Sequence, residues 1–182
     1  MQKLIVSSQR VTGPSADGII VTAFKTFVET ENGMYDLCNY FDFQELDDIE
    51  IISQKSFFSV RLNIPPELKK AIIDFLLTQH IHKDDKFDCY SFVNKYHNVE
   101  EHKKSYLMNY WKLKKLVFLP KVGDVVFFLD TSRQLFRHAS IYVGWGVYVS
   151  VYGAGGDIHF ATLKDMKNSF GGENIFLATP RL

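Results

Sequence analysis

The segment KFDCYSFV, residues 86–93, contains a cysteine that could act as a nucleophile. A thiol has a pKa of about 8.5 and needs help to ionise at neutral pH. Asp88 fits the N-cap of a helix that begins at Cys89, and a helix N-terminus lowers the pKa of a thiol placed there. A cysteine among phenylalanines is also commonly a small buried residue. The local sequence therefore predicts the helix start and leaves both interpretations of Cys89 open.

His138 is the histidine whose surroundings best suit a base. It begins HASIYVGWGVYVSVYG, residues 138–153, in which apolar residues alternate with polar or aromatic ones. A three-residue turn at 144–146 keeps valines facing valines, whereas a two-residue turn would send one strand's apolar set to the other face. In the register that this pattern selects, His138 lies opposite Tyr152 and diagonal to Ser150.

A third strand is predicted to extend the same face. The turn at residues 153–156 pairs Tyr152 with Asp157 and Ser150 with His159. One face of the sheet then carries six polar or aromatic side chains: His138, Ser140, Ser150, Tyr152, Asp157 and His159. Such a face is typical of a functional site, but also of the solvated side of an antiparallel sheet.

The elements that must position these residues have their own patterns. Residues 1–62 are rich in β-branched and aromatic residues and predict strands. A proline pair at 65–66 followed by regularly spaced apolar residues predicts a helix to about residue 79. The basic, aromatic stretch 99–118 predicts a further helix. From Pro120 onward apolar residues recur at every second position, which predicts strands up to the C-terminal segment NIFLATPRL. The chain is thus predicted to be α+β.

Composition excludes some classes of function. The chain has 182 residues and a formal net charge of zero, which argues against a nucleic-acid partner bound through a broad positive field. No stretch reaches the roughly 18 apolar residues of a membrane span, and the N-terminus lacks a signal-peptide pattern. We therefore expect no membrane span, and either a cytoplasmic location or export by a non-classical route. The oligomeric state is not indicated.

The two cysteines, Cys38 and Cys89, are not paired by any sequence pattern, so we expect reduced thiols, with Cys38 packed among apolar neighbours. His80, His82 and Cys89 offer three ligands for a metal, but their spacing matches no common zinc pattern. We therefore expect neither a metal nor a cofactor.

Three motifs in order carry a family resemblance. FDCYSFV, VGDVVFF and HASIYVGWGVYVS resemble the NlpC/P60 cysteine peptidases of the papain-like superfamily, whose pattern runs roughly DCSGFV, a PGDLVFF-like strand, and HVGIYVG. The likeness covers about residues 66–182. It implies a papain-like NlpC/P60 core at 63–182, in which the cysteine helix packs on an antiparallel sheet. Residues 1–62 would be a β-rich N-terminal extension of that core or a small SH3-like domain.

The resemblance also implies roles for individual residues. Cys89 would be the nucleophile and His138 the general base. The third family residue, which orients the imidazole, falls on Ser150, with Tyr152 or His159 as alternatives. His159 lies two strands from His138, roughly 10 Å away at about 4.8 Å per strand. The residues expected to border the substrate are Asp88, Tyr90, Tyr152 and His159.

The expected substrate is a peptide or another amide. The family's Ser-Gly after the cysteine is Tyr90-Ser91 here, and HIHKDDK replaces the aromatic, glycine-rich segment before it. We expect a cysteine hydrolase that forms an acyl-enzyme. It would be a cell-wall peptide endopeptidase, or a divergent amidase or acyltransferase acting on another protein, peptide or lipid. A catalytically inactive binding domain on the same fold is the alternative outside the enzyme class.

Overall fold

Three helices and a large sheet make up the part of the chain that the computed structural model describes. That part comprises residues 2–15, 18–37, 48–54, 57–81, 88–98, 111–116, 120–130, 135–153, 155–171 and 174–180. Cys38 and His82 lie outside it, and so does the side chain of His80, so the predictions made for them stay predictions. No helix in these ranges is long and apolar enough to cross a membrane.

The strands are numbered in chain order. They are β1 Gln2–Pro14, β2 Ile20–Thr30, β3 Gly33–Asp36, β4 Ile49–Gln54, β5 Ser59–Leu62, β6 Trp111–Lys115, β7 Val125–Asp130, β8 Leu135–Gly144, β9 Val147–Val151, β10 Ile158–Ala161 and β11 Asn174–Pro180. The helices are α1 Pro66–Ile81, α2 Cys89–Tyr96 and α3 Leu163–Phe170. The α+β class is therefore confirmed, whereas the papain-like arrangement stays a prediction.

All eleven described strands belong to one sheet. Its order is β5-β4-β1-β2-β10-β9-β8-β7-β11-β6, and β3 pairs with the free part of β2. The long hairpin β1–β2 is antiparallel, whereas β4 lies parallel to β1. The N-terminal strands join the rest at one residue pair, Phe24 opposite Phe160. Strands β1–β5 thus belong to the same hydrogen-bonded sheet as the C-terminal strands.

The two faces of the sheet have different coverings, and β8 shows the division. Ala139, Ile141 and Val143 belong to a large apolar cluster with residues of α1 and α2, so we call their side the α1/α2 face. Tyr142 belongs to a second cluster with Met166 of α3, so we call that side the α3 face. Successive strand residues point to opposite faces, which is why alternation along β8 assigns each residue to one covering.

The predicted register of the β8–β9 hairpin is confirmed within the strands, but the predicted three-residue turn that pairs Val143 with Val147 is wrong. Ile141 pairs with Val149 and Tyr142 with Tyr148. At the turn the register shifts, so that Gly144 rather than Val143 pairs with Val147. The next hairpin is also as predicted, since Ser150 pairs with His159 and Val151 with Ile158.

The secondary structure differs from the prediction in two places. Within the stretch predicted as a helix at 99–118, residues 111–115 form the strand β6, which pairs with β11. Residues 99–110, 117 and 118 lie outside the described residues, so the helix predicted there stays a prediction. Trp111 and Leu113 point inward while the intervening Lys112 and Lys114 are exposed, which is the period of a strand. Helix α3 was not predicted, although Thr162 and Asp165 form a capping box that marks its start.

Candidate functional site

Helix α2 begins at Cys89, as predicted. The Oδ1 atom of Asp88 accepts hydrogen bonds from the backbone N–H groups of Tyr90 at 3.0 Å and Ser91 at 2.9 Å. The Ser91 hydroxyl donates to the same oxygen at 3.2 Å. Asp88 is itself buried, so its carboxylate acts as the N-cap of α2.

The thiol of Cys89 lies inside the protein. Cys89 is 6% exposed and belongs to the apolar cluster on the α1/α2 face. Its neighbour Tyr90 makes edge-to-face contacts with Phe127 and Phe136, at ring-centroid distances of 6.1 Å and 6.4 Å. Burial raises the pKa of Tyr90 well above its usual value, and the nearby Cys89 and Asp88 raise it further. Tyr90 therefore packs in the core, away from any open surface where a substrate would lie.

His138 lies on the α3 face. Its ring stacks in parallel on Phe170, with centroids 3.8 Å apart and an interplanar angle of 7°. It also meets Tyr152 edge to face at 5.2 Å. His138 is 1% exposed, and its Nε2 atom has no hydrogen-bond partner among the described residues. Burial, and next the nearby imidazole of His159, lower the pKa of His138 to about 3.

Cys89 and His138 are therefore not brought together. In the β7–β8 ladder Phe127 pairs with Ala139, and Phe128 pairs with His138. Phe127 shares its cluster with Cys89 on the α1/α2 face, whereas Phe128 belongs to the cluster on the α3 face. The body of the sheet lies between the thiol and the imidazole.

A bulge beside His138 adjusts the strand at this point. Phe128 pairs with His138, but the next residue, Leu129, pairs with Phe136, which leaves Arg137 as the extra residue. The bulge turns Phe136 toward the α1/α2 face, where it contacts Phe127 at a centroid distance of 5.2 Å. Bulges re-aim side chains locally, and this one leaves His138 on the side opposite Phe136.

Ser150, Tyr152 and His159 share the α3 face with His138, as predicted. The Ser150 hydroxyl donates to the backbone carbonyl oxygen of Ala139. Among the described residues it makes no hydrogen bond to His138, so it does not orient the imidazole in this structure. Tyr152 bridges the two histidines, since its ring also lies 4.7 Å from that of His159.

This polar face is deeply buried. Ser140, Ser150 and Tyr152 are at most 1% exposed, and the hydroxyls of Ser140 and Tyr152 have no hydrogen-bond partner among the described residues. Burial, and then the carboxylate of Asp165, raise the pKa of Tyr152 far above its usual value. Helix α3 covers the face and is tied to β1 by the ion pair between Arg10 Nε and Asp165 Oδ1 at 3.0 Å.

His159 connects the buried face to a cavity that the sequence did not predict. The cavity has a volume of about 200 Å³ and lies between β1, β2, β3 and β10. Its lining is mixed, with apolar, hydroxyl, charged and imidazole side chains: Val11, Phe24, Lys25, Thr26, Asp36, Leu37, Ile158 and His159. Burial lowers the pKa of His159, and Asp157 partly offsets this effect.

Metal binding finds no support in this region. The described ranges hold no group of three or more His, Cys, Asp or Glu side chains that could bind a metal ion.

Comparison of the chain with protein-family models, curated proteins and solved structures finds no match. The resemblance to the NlpC/P60 peptidases therefore depends on the three sequence motifs alone.

Proposed function

We propose that this chain is a binding domain, in which Cys89 is a packing residue and not a nucleophile. The observation that supports this most is the separation of Cys89 and His138 onto opposite faces of the sheet. A thiol nucleophile needs a base within hydrogen-bond reach, about 2.6–3.2 Å between heavy atoms. Small movements tighten such contacts when a substrate binds, but they do not carry an imidazole through a sheet.

The state of the imidazole supports the same proposal. A general base must accept the thiol proton, and the resulting imidazolium must be stable in the site. Burial against Phe170 and Tyr152 disfavours the charged ring and lowers the pKa of His138 to about 3. The environment of His138 is therefore suited to packing a neutral ring.

A cysteine hydrolase or acyltransferase acting on an amide is the second candidate. The capped start of α2 at Cys89 favours it, because first-turn N–H groups stabilise a thiolate and an oxyanion. Under this candidate the base would be a group other than His138 in its present position. Its substrate would be a cell-wall peptide, or another protein, peptide or lipid.

Alkylation with iodoacetamide across pH separates the two candidates. Mass spectrometry of the peptide that contains Cys89 keeps its signal apart from that of Cys38. Because Cys89 is 6% exposed, we expect alkylation at least about tenfold slower than that of glutathione at neutral pH. The rate should be the same in the His138→Phe variant, in which a ring still stacks on Phe170.

An activated nucleophile gives the opposite result. Cys89 would then react faster than glutathione below about pH 7, since a depressed thiol pKa supplies thiolate there. Such reactivity would show the binding-domain proposal to be wrong. Its loss in His138→Phe would in addition support the predicted Cys89–His138 pair, whereas its persistence would point to another base.

A further inference from the structure

We propose that the cavity beside His159 binds a small zwitterion, an α-amino acid with an apolar side chain. This proposal rests on the proposed binding function and names the class of ligand. Three features of the cavity carry it: its size and position in the sheet, the oppositely charged pair on its wall, and its apolar lining.

The cavity exists because two strands diverge. Strands β2 and β10 are neighbours, but they pair at one position only, Phe24 opposite Phe160. Beyond that pair the strands separate, and the lining comes from both sides of the gap, with Phe24 and Thr26 on β2 and Ile158 on β10. The volume of about 200 Å³ is smaller than the roughly 300–1,000 Å³ of sites for drug-sized ligands. A single amino acid is therefore of suitable size.

One cation and one anion lie side by side on the cavity wall. Lys25 Nζ is 3.5 Å from Asp36 Oδ2, and the two side chains are 31% and 32% exposed. This separation is longer than the about 2.7–2.9 Å of a close charge-assisted hydrogen bond. Partly exposed ion pairs of this kind stabilise a protein little. The ammonium and carboxylate of a ligand can therefore compete with this pair for Asp36 and Lys25, whose Nζ also lies 5.1 Å from the centre of the Phe27 ring.

The arrangement of these charges matches an α-amino acid. Its ammonium would bind Asp36 and its carboxylate would bind Lys25, and both groups are attached to one carbon atom, as the neighbouring partners require. A simple amine or a simple carboxylate would leave one of the two side chains without a ligand partner. A peptide separates its two charged termini, so it cannot reach both partners from within so small a cavity.

The remaining lining suits an apolar side chain. Phe24, Leu37 and Ile158 are each buried and apolar, so they offer a water-excluding wall for a branched aliphatic group. His159 adds a ring that burial keeps neutral, because burial lowers its pKa. The neutral imidazole leaves the cavity with balanced charge, and it can donate a hydrogen bond to a carboxylate.

Titration of the ¹⁵N-labelled protein with leucine, followed by the amide shifts of Phe24, Leu37 and Ile158, tests this proposal. We expect saturable shifts with a Kd of about 1 mM or lower. Isoamylamine lacks the carboxylate of leucine, and 4-methylpentanoate lacks its ammonium. Each should bind at least about tenfold more weakly, as should glycine, which lacks the side chain.

The variants Lys25→Met and Asp36→Asn should each weaken leucine binding by at least about tenfold. Lys3→Met is the matched control, because the Lys3–Glu29 pair, which joins β1 to β2, has a similar distance of 3.4 Å and similar exposure but lies outside the cavity lining. It should leave leucine binding unchanged. The amide spectrum of each variant also shows whether it is folded.

Two results would overturn the zwitterion proposal: no saturable shift with leucine, or equal binding of leucine and its two singly charged analogues. These results are distinguishable from failure of the proposed function, which depends on the reactivity of Cys89. If Cys89 is unreactive and leucine does not bind, the chain is still a binding domain, but for another ligand.

Discussion

The Gly156→Ala variant should lose about 3 kcal/mol or more of unfolding free energy, a loss at the upper end for single substitutions. A Cβ atom at position 156 would lie 1.9 Å from the backbone oxygen of Tyr152 and 2.7 Å from its carbonyl carbon. Backbone atoms cannot move aside as the end of a flexible side chain can. The turn is also fixed by the hydrogen bond from Gly156 N–H to the Gly153 carbonyl at 3.2 Å, so it would have to be rebuilt.

Gly13→Ala is the matched control for this variant. A Cβ atom there would meet nothing within 4 Å, and alanine is at least as favourable as glycine within a strand. Its unfolding free energy should stay within about 0.5 kcal/mol of the wild type or rise slightly. Urea unfolding measures both. If Gly156→Ala unfolds at the same urea concentration as Gly13→Ala, the turn that places His159 beside Ser150 is not as described.

The unfolding free energy of the protein should fall as the pH is lowered from about 7.5 to about 5. The pKa of His138 is lowered from 6.5 to about 3 on folding, so the unfolded chain binds a proton in this range that the folded chain excludes. Stability rises with pH wherever the unfolded state binds more protons. For one such histidine the loss by about pH 5 is about 2 kcal/mol, at 1.36 kcal/mol per pKa unit.

Comparison with His138→Phe isolates this effect. The phenyl ring can keep the stacking contact with Phe170 but binds no proton. The part of the pH dependence of the unfolding free energy that comes from His138 should therefore disappear. His97→Gln is the control, because His97 is more exposed and should account for a smaller part of the slope. Urea unfolding at a series of pH values measures all three proteins. An unchanged slope in His138→Phe would mean that His138 is not buried as a neutral ring.

Short-range sequence patterns predicted the pairing of neighbouring strands and the start of α2. The alternation from His138 to Val151 selected the register, because a slip of one residue would move the valines of one strand to the opposite face of the sheet. Asp88 marked the start of α2 because its carboxylate satisfies first-turn N–H groups. The same kind of signal, Thr162 followed by Asp165, marked α3 and was overlooked.

The alternation of apolar and polar residues along β8 also indicates on which face of the sheet α2 packs. An amphipathic helix buries its apolar side on the more aliphatic face of a sheet. That face carries Ala139, Ile141 and Val143, so the helix bearing Cys89 packs there. The tyrosine and serine residues that made the other face resemble a site also made it the less favourable side for α2.

The cavity could not be predicted from local patterns. It depends on the parallel pairing of β1 with β4 and on the single residue pair between β2 and β10. These are contacts between distant parts of the chain, and periodicity within one segment carries no information about them.

The central claim, that Cys89 and His138 lie on opposite faces and form no pair, is tested most directly by NMR titration of the His138 ring nitrogens in the wild type and in Cys89→Ala. A thiolate–imidazolium pair would raise the pKa of His138 above its ordinary value of about 6.5, and removal of the thiol would lower it. Our account predicts a His138 ring that stays neutral well below about pH 5 and titrates identically in both proteins. A pKa above about 6.5 that falls in Cys89→Ala would contradict it.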